Sequence, residues 1–150
     1  MPLVKATDLM RLAANDADIA LSVFEAADPY GYGRVIINNG KVEAIVEQKD
    51  ATETQKMIKS ANAGCYCFKS EVLREILPLI GNENSQKEFY LTDAIKIANE
   101  HGLKCWAISV EEQNFMGIND KFQLSIAQNL MQDEIKKNWM KSGVLMRLPN

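Results

Sequence analysis

The sequence predicts an α/β fold: a mixed sheet with an antiparallel β-hairpin inserted into it. Three observations carry the prediction. Apolar, strand-like runs alternate with helical patterns of about ten residues, the signature of strands joined through helices. Asn39-Gly40 separates the β-branched runs 35–37 and 42–46, a strong short-range signal for a two-residue hairpin. Residues 19–26 form a nearly continuous apolar run, as in a strand covered on both faces.

The remaining elements follow in order. Residues 7–14 read as a helix with Leu9, Met10, Leu12 and Ala13 apolar. Thr52 with Gln55 three residues on is a capping-box pattern that starts a short helix carrying Met57 and Ile58. Residues 62–68 return as a strand. Ser70 opens a helix with Val72, Leu73, Ile76 and Leu77 on one face, and Pro78 stops or kinks it. Residues 81–88 are too rich in Asn, Gln and Glu for a core and read as a surface loop. Thr92 begins a helix that ends at Gly102, with His101 placed to meet the last carbonyls. A strand over 104–110 follows, then a long helix over 120–139. There Phe122, Ile126 and Leu130 form one row and Ala127, Met131 and Ile135 a second, which predicts docking by one broad apolar face.

Composition narrows the class. At 150 residues the chain fits a single domain, 1–150, able to bury roughly 70% of its unfolded surface. Hydrophobic residues at 47% and charged residues at 25% are ordinary for a globular protein, and no apolar run is long enough to span a bilayer. A net charge of −3 without a Lys/Arg cluster argues against nucleic acid as a partner. The start, Met1-Pro2-Leu3-Val4-Lys5, lacks a signal-peptide layout, so a cytoplasmic location is expected. Cys65, Cys67 and Cys105 lack zinc spacing and read as buried thiols in a reducing compartment.

Chemistry concentrates around residues 28–50. Gly31 and Gly33 bracket Tyr32, the hairpin follows, and its second strand delivers the carboxylate of Glu47. A Gly-rich loop, a hairpin and a terminal carboxylate suit the wall of a small polar ligand.

Four segments, Asp28-Pro29-Tyr30-Gly31-Tyr32-Gly33-Arg34, Val46-Glu47-Gln48-Lys49-Asp50-Ala51-Thr52, Asn62-Ala63-Gly64 and Glu88-Phe89-Tyr90-Leu91-Thr92-Asp93, resemble in order and spacing one family. It is the bacterial bifunctional N-acetylglucosamine-1-phosphate uridyltransferase, in its pyrophosphorylase domain. Gly117-Ile118-Asn119-Asp120 resembles that family's metal-proximal motif. The resemblance implies a partial Rossmann-like, GT-A-like nucleotidyltransferase sheet with helices on both faces. It further implies that these residues form the sugar-binding half of the domain. The nucleotide-binding half, with its Gly-rich loop, catalytic lysine and magnesium aspartate, and the acetyltransferase β-helix are absent from the chain.

By that resemblance the intact family's substrate is N-acetylglucosamine-1-phosphate, its product UDP-N-acetylglucosamine and its cofactor Mg²⁺; this chain alone is expected to carry the sugar pocket without binding the metal or catalysing the transfer. Gly33 presents its backbone to the amino sugar, where a Cβ would intrude; the alternative is a simple loop glycine. Glu47 accepts hydrogen bonds from sugar hydroxyls, or pairs at the surface with Lys49. Asn62 contacts the sugar through its amide, or caps the start of a strand. Tyr90 and Thr92 line the N-acetyl pocket, with the helix N-cap as the alternative for Thr92. Glu88 sits toward the sugar-phosphate end, or is a solvated loop carboxylate. Asn119 gives a neutral oxygen to Mg²⁺, or caps the last helix.

Two departures leave substrate choice open. Ser85-Gln86-Lys87 stands where the family has Ala-Gln-Gly, and Lys87 forbids an easy positive φ, so the loop is expected to run differently. Phe89 replaces a tyrosine. The second reading is a non-catalytic sugar-recognition or assembly module that pairs with another chain. Because the family flanks the 19–24 strand with segments not present here, an open sheet edge and a homo-oligomer are expected.

Overall fold

The computed structural model describes residues 3–118 and 120–147, which divide into two compact units, one of residues 5–112 and one of residues 3–4 with 113–118 and 120–147. The larger unit holds α1 (Ala6–Ala13), β1 (Ile19–Glu25), β2 (Arg34–Asn38), β3 (Lys41–Val46), the one-turn α2 (Glu53–Lys56), β4 (Ser60–Phe68), α3 (Ser70–Ile76), α4 (Asp93–Glu100) and β5 (Cys105–Ser109). Pro78 lies in a 3₁₀ turn, Leu77–Leu79, that ends α3. Among the described residues, the sequence missed a short helix, α5 (Glu112–Phe115), before α6 (Lys121–Lys141).

The sheet is mixed, as expected: β1 runs parallel to β5 and antiparallel to β4, while β2 pairs antiparallel with β3. It also closes. Single pairings, Arg34 with Ala61 and Lys41 with Trp106, complete a five-stranded barrel in the order β1-β4-β2-β3-β5. The open edge expected at β1 is therefore not there. Neighbours on both sides satisfy its backbone, which removes the ground for self-association through that strand.

Both faces of β1 are buried, as its unbroken apolar run requires. Ile19, Leu21 and Val23 meet Val35, Val42 and Ile45 from the hairpin, Val72 and Ile76 from α3, and Ile95 and Ala98 from α4. On the opposite face, Phe24 packs edge-on against Tyr32 with ring centroids 5.1 Å apart. Ser22 looks misplaced in such a strand, but the register of β4 explains it. Leu21 faces Tyr66 while Val23 faces Asn62, so β4 bulges between them. Gly64, at φ +77°, lies in the bulge, and the Ser22 hydroxyl accepts from the Cys65 N–H at 3.1 Å and donates to its carbonyl at 3.0 Å. The side chain replaces the ladder bonds that the bulge removes.

The hairpin turns as Asn39-Gly40 predicts, with positive φ at both residues. Gly40 is required twice over, because a Cβ there would meet the Trp106 ring at 2.7 Å. The capping box at Thr52 forms, and the His101 ring reaches the Ile97 carbonyl at 2.8 Å beside Gly102. Cys105 is buried, and burial pushes its thiol up to about 11; Cys65 and Cys67 are only half-buried, short of the expectation.

In the smaller unit, Leu3 joins Leu124, Ala127 and Met131 in lining a cavity of about 260 Å³. Asp120, rather than Asn119, caps α6, its carboxylate accepting the Gln123 N–H at 2.7 Å. The docking face expected of α6 forms only in part: Ala127 is buried and Ile126 and Leu130 are half-buried, while Phe122, Met131, Ile135 and Trp139 are exposed. Each step of four residues overshoots a helical turn by about 40°, so the two apolar rows together sweep about 220° instead of making one stripe. Among the described residues no helix is long and apolar enough to cross a membrane.

Candidate sugar pocket

Helix α4 packs antiparallel along β3 through Ile95 and Ala98, and one side chain fixes it there. The Asn99 amide donates to the carbonyls of Val42 at 2.9 Å and Glu43 at 3.0 Å. That placement brings the start of α4 to the end of β3, where the Thr92 hydroxyl donates to Glu47 Oε1 at 3.0 Å. Thr92 makes no side-chain cap on its own helix, although its position suits one. Its hydroxyl serves a carboxylate on another element instead. Glu47 likewise has Thr92 as partner and not Lys49, whose ammonium goes to Gln86.

Gly33 completes this corner. A Cβ there would lie 3.1 Å from Ile45 Cγ2 and 3.4 Å from both Glu47 carboxylate oxygens. Its lack of a side chain thus makes room chiefly for Ile45, with the Glu47 oxygens at ordinary contact distance. The Gly33 carbonyl accepts the Asn62 N–H at 2.8 Å, tying β4 to the same corner. The Asn62 side chain accepts from the Gly64 N–H at 3.0 Å, a local bond within the bulge. The glycine loop is braced from below by Arg34, which is buried and donates to the Tyr32 carbonyl and, at 2.7 Å, to Gln48 Oε1. That oxygen also accepts the Gly31 N–H at 3.2 Å.

A cavity of about 270 Å³ opens beside Glu47, with Thr92, Tyr90, Asn84 and Ile45 in its wall. Four carboxylates line it, Glu47, Asp50, Glu83 and Asp93, against the single ammonium of Lys96. Burial pushes the Asp93 carboxyl up, and the charge of Asp50 adds to the shift. Such a wall accepts hydrogen bonds from hydroxyls and repels a phosphate.

Of the sequence-predicted residues, the structure brings Glu47, Tyr90 and Thr92 to the cavity, with Gly33 against Glu47 and Asn62 one backbone bond further. Glu88 stays outside on the exposed loop, its backbone held by the Asn84 side chain. Asn119 lies outside the described residues. The loop before Tyr90 corrects one expectation. Lys87 adopts φ +54° despite its side chain, so the loop makes the left-handed step that the missing glycine had seemed to forbid. Asn84 explains how: its Oδ1 accepts the N–H groups of Gln86 and Glu88, both at 3.2 Å, and its carbonyl accepts that of Lys87 at 3.1 Å.

Sequence reasoning missed Tyr66. Its hydroxyl is buried without a well-formed hydrogen bond. Burial pushes the phenol up, the Glu47 charge acts in the same direction, and the Asn62 side chain acts against it. Strand alternation from Asn62 was the one available signal.

The family model described as Nucleotidyl transferase matches residues 2–140. The chain belongs to the nucleotidyl transferase family. It is 75% identical over 149 residues to the bifunctional protein GlmU of Campylobacter concisus, covering 99% of this chain and 34% of that protein. Against the bifunctional protein GlmU of Campylobacter curvus the identity is 74%, with the same coverage. The chain thus spans about a third of the length of these curated relatives. The resemblance read from the five motifs is to the same bifunctional proteins. A solved inositol-1-phosphate CTP transferase from T. maritima superposes with a TM-score of 0.48 at 15% identity, over 68% of this chain and 40% of that one, too partial a likeness to carry an argument.

Among the described residues, no three His, Cys, Asp or Glu side chains gather to hold a metal ion. Asn119, the Mg²⁺ ligand that the resemblance implies, is not among the described residues.

Proposed function

We propose that this chain forms the sugar side of an N-acetylglucosamine-1-phosphate uridyltransferase, the activity that makes UDP-N-acetylglucosamine from UTP. In that reaction a phosphate oxygen of the sugar phosphate attacks the α-phosphorus of UTP. The new P–O bond forms as the bond to the β-phosphate breaks, and pyrophosphate leaves with the electron pair. The observation that carries the reading is the Thr92–Glu47 hydrogen bond, which orients a carboxylate at the rim of a cavity instead of capping a helix.

Glu47 then takes a sugar hydroxyl on its free lone pairs, and Tyr90 and Thr92 bound the N-acetyl group. Asn62 closes the pocket through Gly33. The acidic wall keeps the sugar phosphate outside the cavity, pointing toward Glu88 and the nucleotide. Mg²⁺ through Asn119 belongs to this proposal on resemblance alone.

The test is a calorimetric titration with N-acetylglucosamine-1-phosphate. Removing the charge-assisted acceptor in Glu47→Ala should cost about 1.5–3 kcal/mol of binding, whereas Glu43→Ala, on the same strand, should change little. Equal losses would refute the assignment. Since the cavity gathers acids and not the cations a triphosphate needs, these 150 residues alone should bind sugar without uridyl transfer. EDTA-sensitive turnover by the purified chain would contradict that. Binding without turnover, even with a nucleotide-binding partner chain supplied, would favour the recognition module instead.

A further inference from the structure

The end of β3 and the loop before α4 are joined by a relay of side chains that the proposal above leaves unused. The Lys49 ammonium donates to Gln86 Oε1, and Gln86 Nε2 donates to the Tyr90 hydroxyl at 2.7 Å. Chemistry sets the direction of this relay. An ammonium carries donors and no acceptor, so it must meet the carbonyl oxygen of the Gln86 amide. The NH₂ group, a donor only, is then turned toward Tyr90. The phenol oxygen has to accept, and its own proton is left for a partner elsewhere.

The backbone around the relay is held in place. Asp50 Oδ1 accepts the Ser85 N–H at 3.1 Å, which ties the loop to the chain just after β3. Asn84 clamps Gln86 and Glu88 from within the loop. Tyr90 lines the cavity together with Glu47 and Thr92, and among the described residues Gln86 is the hydrogen-bond partner of its hydroxyl.

We infer that Lys49 and Gln86 are positioning residues that make Tyr90 a hydrogen-bond donor into the cavity, so that it selects a sugar with an acceptor, such as an amide carbonyl, over one with an ammonium. The inference rests on the sugar-pocket reading and deepens it. Glu47 offers the cavity an acceptor and Tyr90 a donor, and a sugar bearing a hydroxyl beside an amide matches both. An ammonium at the amide position would face the Tyr90 proton, leaving two donors opposed.

The experiment is a double-mutant cycle on the full 150-residue chain, titrated with N-acetylglucosamine-1-phosphate and with glucosamine-1-phosphate. Gln86→Leu changes no charge and frees the Tyr90 hydroxyl to rotate. It should weaken binding of the acetylated sugar by about three- to tenfold, the worth of one neutral hydrogen bond, and leave the amine within about twofold. Tyr90→Phe should do the same, and the double variant should be no weaker than either single one. Lys49→Met, which releases the amide to flip, should shift the preference the same way by a smaller factor. Equal weakening of both sugars by Gln86→Leu would mark a merely structural role and overturn the inference. So would additive losses in the double variant, with the sugar pocket left standing. Failure of the parent chain to bind either sugar would remove the pocket reading and the inference together.

Discussion

β1 and α6 both carry apolar side chains at regular spacing, yet Leu21 of β1 is 0% exposed whereas Phe122 and Trp139 of α6 are 73% and 56% exposed. The strand has partners within its own unit. β4 and β5 flank it, α3 and α4 cover one face, and on the other Tyr32 packs against its Phe24. The helix satisfies its backbone internally, so it forms whether or not its side chains find cover. Its apolar rows also wind about the axis. An apolar pattern therefore tells which element forms more reliably than whether that element is buried.

The largest expected effect breaks the strand. Leu21→Ala should cost about 2–5 kcal/mol, the transfer term plus a cavity that a closed barrel cannot collapse. Phe122→Ala, which removes more atoms from an exposed site, should stay within about 0.5 kcal/mol. Urea unfolding followed by circular dichroism compares the two. Similar losses would mean that α6 is covered in solution and would end the contrast.

Next is the polar residue hidden in β1. Ser22→Ala should cost about 1–3 kcal/mol, because it leaves both the N–H and the carbonyl of half-buried Cys65 without their partner. Faster amide exchange at Cys65, with the rest of β4 unchanged, is the local signature. If Ser22→Ala is neutral, β4 straightens at its bulge and the side chain is not what holds it.

These residues also show how far the sequence could be read. The hairpin at Asn39-Gly40, the capping box at Thr52 and the stop at Gly102 were legible because each depends on neighbours within a few positions. The site was legible in part: Gly33, Glu47 and Thr92 were singled out through motif resemblance. That Thr92 bonds Glu47 was not, since those residues are 45 positions apart and only the packing of α4 on β3 joins them. The same holds for barrel closure, which rests on single pairings such as Lys41 with Trp106. The bulge at Gly64 hid behind a strand of unremarkable composition.

A smaller effect separates the charges at the two elements. Asp18, just before β1, accepts the Lys104 N–H at 2.8 Å and the Lys69 ammonium at 2.9 Å. The Lys104 N–H, and after it Lys69, hold the carboxyl below its usual 3.8. A lowered folded value contributes stability above the unfolded pKa and loses it as pH falls through the folded one. Asp18→Asn should therefore lower stability near neutrality and flatten its decline below about pH 4. Asp133 on α6 lies 3.9 Å from Lys136 with its side chain 59% exposed, so Asp133→Asn should change stability by less than about 1 kcal/mol. Thermal melts from pH 2 to 7 would separate the two variants, and identical acid limbs for parent and Asp18→Asn would remove Asp18 from the account.

The smallest effect has the opposite sign and lies in neither element, which makes it a control on both. Lys87 holds φ +54° in a loop whose hydrogen bonds come from Asn84. A side chain in the left-handed region costs about 1–2 kcal/mol relative to glycine, partly offset by the greater freedom of glycine in the unfolded chain. Lys87→Gly should thus stabilise the larger unit by about 0.5–1 kcal/mol while leaving Gln86 and Tyr90 in place. Lys87→Ala keeps the strain and should give no such gain, which separates the backbone effect from loss of the charge. If Lys87→Ala stabilises as much as Lys87→Gly, the left-handed turn carries no strain and the ammonium is what disfavours the loop.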